Sequence, residues 1–101
     1  MAYISEKELK IVLDIIKELY PKCKISVFGS RYKGTYKEYS DLDLAIEGKE
    51  KISFQNMSKL RDAFEESELN FSVDIIDLNG ISKEFKEIVM NGYEEIYNGL
   101  N

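Results

Sequence analysis

The chain reads as a small α/β protein of the α+β kind, with helices packed on one mixed β-sheet in the order α-β-β-α-β-α and a further β at the end. Three observations predict this. Apolar residues recur at helical spacing in three segments, and each segment is introduced by a serine. Short runs rich in aliphatic and β-branched residues lie between them. Gly, Pro or Asn-Gly punctuates the joints, as expected at turns and helix ends.

Ser5 and Glu8 have capping-box spacing, and Leu9, Val12, Leu13, Ile16 and Leu19 then recur at helical intervals. Pro21 stops this helix. Lys24 to Phe28 alternates as a strand, and Gly29 breaks it. Ser30 to Ser40 has no clear period and reads as a loop with room for a short helix. The run Asp41-Leu42-Asp43-Leu44-Ala45-Ile46 predicts a second strand with Leu42, Leu44 and Ile46 on the core side, closed by Gly48. Ser53 caps the next helix, whose buried stripe is Phe54, Met57, Leu60 and Phe64. Phe71 to Leu78 is a third strand. Ser82 caps a helix carrying Phe85, Ile88 and Val89, with Asn91-Gly92 as its stop. Glu94 to Tyr97 reads as a last strand, a frayed helix being the alternative.

With 101 residues the expectation is one domain, 1–101, able to bury a modest core without a disulfide or structural metal. An apolar fraction of 44% and a charged fraction of 33% fit a globular protein. No apolar run is long enough to span a bilayer, and the N-terminus lacks a secretory pattern, so a cytoplasmic protein is expected. Cys23 is the single cysteine and reads as a small core residue. The absence of histidine excludes serine and cysteine triads, histidine bases and histidine-bound zinc. A net charge of -5, with Lys and Glu interspersed, leans against a nucleic-acid partner.

The pattern that carries chemistry is Gly29-Ser30, ten residues, then Asp41-x-Asp43. A glycine after a strand turns sharply and lets a ligand approach the backbone. The amides beyond it, with the Ser30 hydroxyl, can face an anion such as a triphosphate. Asp41 and Asp43, two apart on a strand, leave one face about 7 Å apart. A divalent cation between them removes their mutual repulsion, and hard oxygen ligands suit Mg²⁺, which also takes substrate phosphates. Two metals clamped for in-line displacement at phosphorus need a third acid. Asp74 and Asp77 on the third strand have opposite parity, so only one can share the site's face. Parity alone does not choose between them, and Asp77 before Asn79-Gly80 also suits a turn cap.

Each part has a plainer explanation. Gly29-Ser30 alone fits an ordinary strand-to-loop turn, and Asp41 with Asp43 fits the wet face of a strand. Arg31 and Lys33 fit solvated loop charges. Tyr32, Tyr36 and Tyr39 in one polar loop suggest either stacking on a base or contact with a partner. The conjunction decides for a metal-nucleotide site: glycine after one strand, acids on a second, another acid on a third.

The run Val27-Phe28-Gly29-Ser30-Arg31-Tyr32-Lys33-Gly34 with Ser40-Asp41-Leu42-Asp43-Leu44-Ala45 closely resembles the minimal nucleotidyltransferases, a small prokaryotic branch of the DNA polymerase β-like superfamily. Val73-Asp74-Ile75-Ile76-Asp77-Leu78, Asn91-Gly92 and Ile96-Tyr97 resemble its C-terminal half, so the likeness covers nearly the whole chain. It implies the polymerase β-like nucleotidyltransferase fold, with Asp41, Asp43 and Asp74 as catalytic metal carboxylates and Asp77 as a structural residue. Tyr32 departs from the pattern, which usually has a small residue there, and bears on the width of the nucleotide pocket.

The resemblance implies two Mg²⁺ ions and ATP as substrate, with Gly29, Ser30 and Arg31 binding the nucleotide and Lys33 a further candidate charge. Asp74 with the second Mg²⁺ would draw the acceptor's proton. It further implies an antitoxin, in a hetero-oligomer with a HEPN-domain ribonuclease toxin, that transfers AMP to a toxin tyrosine. Two other functions fit the chain: an antitoxin that neutralises by contact, and a small-molecule nucleotidyltransferase of the antibiotic-modifying kind. The latter ranks last because a second lobe is not seen.

Overall fold

The computed structural model describes residues 2–37 and 40–100. Helix α1 (Glu6–Leu19) leads into β1 (Lys24–Phe28), followed by α2 (Ser30–Lys33), β2 (Leu42–Glu47), α3 (Phe54–Glu65), β3 (Val73–Asp77), α4 (Lys83–Met90) and β4 (Tyr93–Asn98). The three long helices begin where serine side chains satisfy otherwise orphaned amides. Ser5 and Glu8 complete both halves of a capping box, while Ser53 accepts from the Asn56 amide and Ser82 from the Phe85 amide, each at 3.1 Å.

The strands form one sheet in the order β3-β2-β1-β4. β1 runs antiparallel to both β2 and β4, whereas β2 and β3 are parallel, the crossover being made through α3. The final segment is therefore a strand, as expected, held by its ladder with β1. The short α2 occupies the start of the stretch read as a loop.

The alternation of β2 sorts its residues between two cores. Leu42, Leu44 and Ile46 join Ile25 and Val27 of β1 and Ile75 of β3 beneath α1 and α3, which supply Val12, Ile16, Met57, Leu60 and Phe64. Complete burial of each large aliphatic side chain contributes about 1.5–3 kcal/mol. Ala45 faces the other way and clusters with Leu78 and with Val89 of α4. Cys23 is buried as expected; its thiol sits 3.0 Å from the Tyr20 carbonyl, and burial pushes its pKa up to about 11, so it is inert at neutral pH.

One expectation about side chains fails. Phe54 is 79% exposed rather than part of the buried stripe of α3. It is the helix's first residue, and at 3.6 residues per turn it lies roughly 90° from the centre of the Met57–Leu60–Phe64 stripe. Leu19, last in α1, is also exposed, since a terminal turn has fewer neighbours to cover it. In α4 only Val89 is buried, and Ile88 is 70% exposed. Among the described residues no helix is long and apolar enough to cross a membrane.

Candidate active site

The register of the sheet builds the site. Phe28, the last residue of β1, lies opposite Asp43 of β2, and Asp43 lies opposite Asp74 of β3. Neighbouring strands are about 4.8 Å apart, so the two carboxylates are adjacent in one row across the sheet. Gly29 continues directly from Phe28. It adopts φ 73°, ψ -152°, a region open essentially only to glycine. A Cβ there would collide with Oδ2 of Asp43 and come within 3.0 Å of its Cγ. The glycine therefore lets the turn and the carboxylate occupy the same narrow space. Ser30 opens α2 immediately beyond it, and Asp41 stands one residue before β2.

Parity on β3, which left Asp74 and Asp77 undecided, is resolved by the packing. Ile75 belongs to the larger core, so Asp77 shares its face, and Asp74 takes the opposite face with Ile76. Asp43 shares that second face with Ala45, so Asp74 is the acid brought beside Asp43. Asp77 is only 7% exposed, and its two oxygens accept the Ile52 amide at 2.6 Å and the Asn79 amide at 2.9 Å. It fastens the loop after β2 to the turn after β3.

The electrostatics of the row are those of a site wanting a cation. The Asp43 carboxyl is pushed above the ordinary carboxylate range, first by burial, then by the charge of Asp74 and that of Asp41. A positive ion would favour the ionised carboxylate and so counteract this upward shift. The donors are all carboxylate oxygens, the type that Mg²⁺ prefers. Among the described residues no three acids are drawn together tightly enough to hold an ion by themselves. That openness suits Mg²⁺, which takes one or two protein carboxylates and completes its shell from water and phosphates. A groove of about 810 Å³ opens beside Asp74, on the flank away from Gly29, lined by Phe71, Ser72 and Val73 and by Arg61 and Phe64 of α3.

Arg31 is placed differently from the other nucleotide-binding candidates. Its residue is 4% exposed, Nε donates to the Ser40 carbonyl and Nη1 to the Tyr3 carbonyl, both at 3.1 Å. The guanidinium lies 4.0 Å from the Phe71 ring centroid and 5.0 Å from that of Tyr36. These partners tie the side chain to three other segments of the fold, at the Tyr3 and Ser40 carbonyls and the Phe71 and Tyr36 rings. Lys33 remains exposed on α2. Tyr32 packs against the main core and close to Gly92 rather than into the loop, Tyr36 stacks at a tilt on Tyr3 with centroids 5.3 Å apart, and Tyr39 lies outside the described residues. Tyr3, Ser40 and Phe71 carried no signal in the sequence, because what they share is a long-range contact with one buried arginine.

A glycine-hinged turn feeding a row of carboxylates on a mixed sheet is the arrangement of a polymerase β-like nucleotidyltransferase. Comparison with known proteins agrees: the family described as polymerase beta, nucleotidyltransferase, matches residues 7–99, and the chain belongs to it and is a nucleotidyltransferase. A Haemophilus influenzae protein named "Probable protein adenylyltransferase MntA" is 43% identical over 90 residues, covering 89% of this chain and 79% of the relative. The fold is shared with a toxin–antitoxin crystal structure containing AMP-PNP, at a TM-score of 0.78 and 23% identity, covering 89% of this chain and 73% of the other. It is also shared with the structure of a tri-AMPylated Shewanella oneidensis HEPN toxin in complex with its MNT antitoxin, at a TM-score of 0.70 and 21% identity over 89% and 69% of the two chains.

Proposed function

We propose that residues 1–101 act as one Mg²⁺-dependent protein adenylyltransferase domain, moving AMP from ATP to a tyrosine hydroxyl of a partner HEPN-domain toxin in the cytoplasm. The observation that carries this reading is the pairing of Asp43 with Asp74 on adjacent strands, with the Gly29 turn at the end of β1 packed against the Asp43 carboxylate. The similarity to a named protein adenylyltransferase and the fold shared with an AMPylated toxin complex support the acceptor and the partner.

Each residue has a distinct task. Gly29 and the Ser30 hydroxyl hold the β- and γ-phosphates close to the backbone. Asp41, Asp43 and Asp74 hold two Mg²⁺ ions, which when bound supply positive charge to the triphosphate and the attacking oxygen. In-line displacement requires the attacking oxygen and the departing pyrophosphate on opposite sides of the α-phosphorus. Gly29 lies on one side of Asp43 and Asp74 on the other, so the acceptor enters over β3, where the groove leaves room for it. The hydroxyl oxygen bonds to the α-phosphorus, the bond to the β-phosphate oxygen breaks, and the proton passes to Asp74. Asp74 is exposed and thus accessible to that hydroxyl.

The test is mass spectrometry of the partner encoded beside this protein, co-expressed with the wild type or with Asp41→Ala and Asp43→Ala. A partner heavier by one or more AMP units only with the wild type supports the reading. A stable complex carrying no added mass refutes transfer and leaves neutralisation by contact.

A further inference from the structure

The Arg31 side chain touches each segment that leads into the site. Its carbonyl accepts from the Tyr3 amide at 2.9 Å while Nη1 donates back to the Tyr3 carbonyl, so the N-terminal segment is bonded twice to the residue after Ser30. Nε holds the carbonyl of Ser40, the residue before Asp41. The guanidinium face rests on Phe71, three residues before Asp74. Asp41 itself precedes β2 and lies outside its ladder. Its neighbours fix it instead: Ser40 through Arg31, and Leu42 through a hydrogen bond of 2.9 Å that its amide donates to the Ser72 carbonyl.

We propose that Arg31 is a positioning residue for the transfer reaction, setting the spacing between the Gly29-Ser30 turn and the carboxylates Asp41 and Asp74 by bridging Ser40, Tyr3 and Phe71 without itself touching the nucleotide. A planar guanidinium can do this because its fork reaches two carbonyls while its flat face stacks on a ring. Lysine keeps the charge but has neither the fork nor the face. A displacement of about 1 Å between reacting groups costs on the order of 100-fold in rate, so a clamp outside the chemistry can govern it. This role presupposes that Gly29, Ser30 and the three carboxylates hold MgATP, as proposed above.

The experiment compares the full chain with Arg31→Met, Arg31→Lys and Phe71→Leu, together with its partner. MgATP binding, kcat, KM for ATP and melting temperature are measured at a temperature where every variant is folded. Arg31→Met should lower kcat about 100-fold. Phe71→Leu should lower it in the same direction by less, and Arg31→Lys should recover melting temperature more than rate. A merely structural role predicts lower melting temperatures with kcat and KM within twofold of wild type, and that result overturns the proposal. If Arg31→Met does not fold, the lysine and leucine variants decide by the same criterion. A rise in KM alone on changing Arg31, with Phe71→Leu unaffected, marks Arg31 as a direct phosphate ligand and also overturns it. Wild type that binds no MgATP, or binds it equally well as Asp43→Asn, overturns the parent reading and this role with it.

Discussion

Replacing Asp74 and Asp77 separately with asparagine separates chemistry from architecture, because the two acids are three residues apart on one segment and face opposite ways. Asp77 is buried and accepts two backbone amides, so an asparagine there must turn an NH₂ group toward one of them. The change loses a hydrogen bond to a charged group and leaves a buried donor facing a donor, at a cost of about 2–3 kcal/mol. A chain of this size has an unfolding free energy of about 5–15 kcal/mol, so the variant still folds. At roughly 4–8 °C per kcal/mol its melting temperature should fall by about 8–24 °C. Asp74 is exposed and repels Asp43, so Asp74→Asn should leave the melting temperature unchanged or slightly higher. Transfer behaves in the opposite sense. Per folded molecule, Asp77→Asn should retain a rate close to wild type, whereas Asp74→Asn should lose about 10²–10⁴-fold with its proton acceptor. Calorimetric melting without metal, and initial rates of AMP transfer well below both transitions, read the two effects. Equal losses of transfer in the two variants, or equal losses of stability, would refute the assignment.

Gly29→Ala should cost about 1–3 kcal/mol of backbone strain and displace Asp43, so that MgATP titration shows weakened binding even in the folded fraction. The raised pKa of Asp43 gives a stabilising contribution that is complete below the ordinary carboxylate pKa of about 3.9 and is lost as pH rises through its own higher value. Metal-free Asp43→Asn should therefore melt at or above the wild type at neutral pH, and Mg²⁺ should raise the wild-type melting temperature there far more than the variant's. Phe54→Gln should change stability by less than about 0.5 kcal/mol, because the ring is exposed. Leu60→Ala should cost about 2–5 kcal/mol, because it opens a cavity in the core, and chemical denaturation of the two variants checks both values.

Local rules determine whatever depends on residues close in sequence. Serine caps marked the starts of all three long helices, since a cap needs only an amide two or three residues away. Alternation placed Leu42, Leu44 and Ile46 on the core side, since strand side chains repeat with period two. Gly29 stood out because it ends a strand, and Asp41 and Asp43 because they share a short run. Phe54 was misplaced because periodicity describes a helix without saying where the neighbouring layer ends.

Tertiary structure alone decided the rest. Alternation left Asp74 and Asp77 open and only the resemblance pointed to Asp74; which of the two stands beside Asp43 follows from the face of β3 that packs under α1 and α3, a fact set by pairing with β2 across 31 positions of sequence. The closeness of Gly29 to Asp43 follows from the antiparallel register of β1 and β2. Arg31 reads in sequence as one more loop charge beside a phosphate site. Only the folded chain brings the Tyr3 and Ser40 carbonyls and the Phe71 ring to its guanidinium, because hydrogen bonds and ring contacts between distant segments leave no periodic trace along the chain.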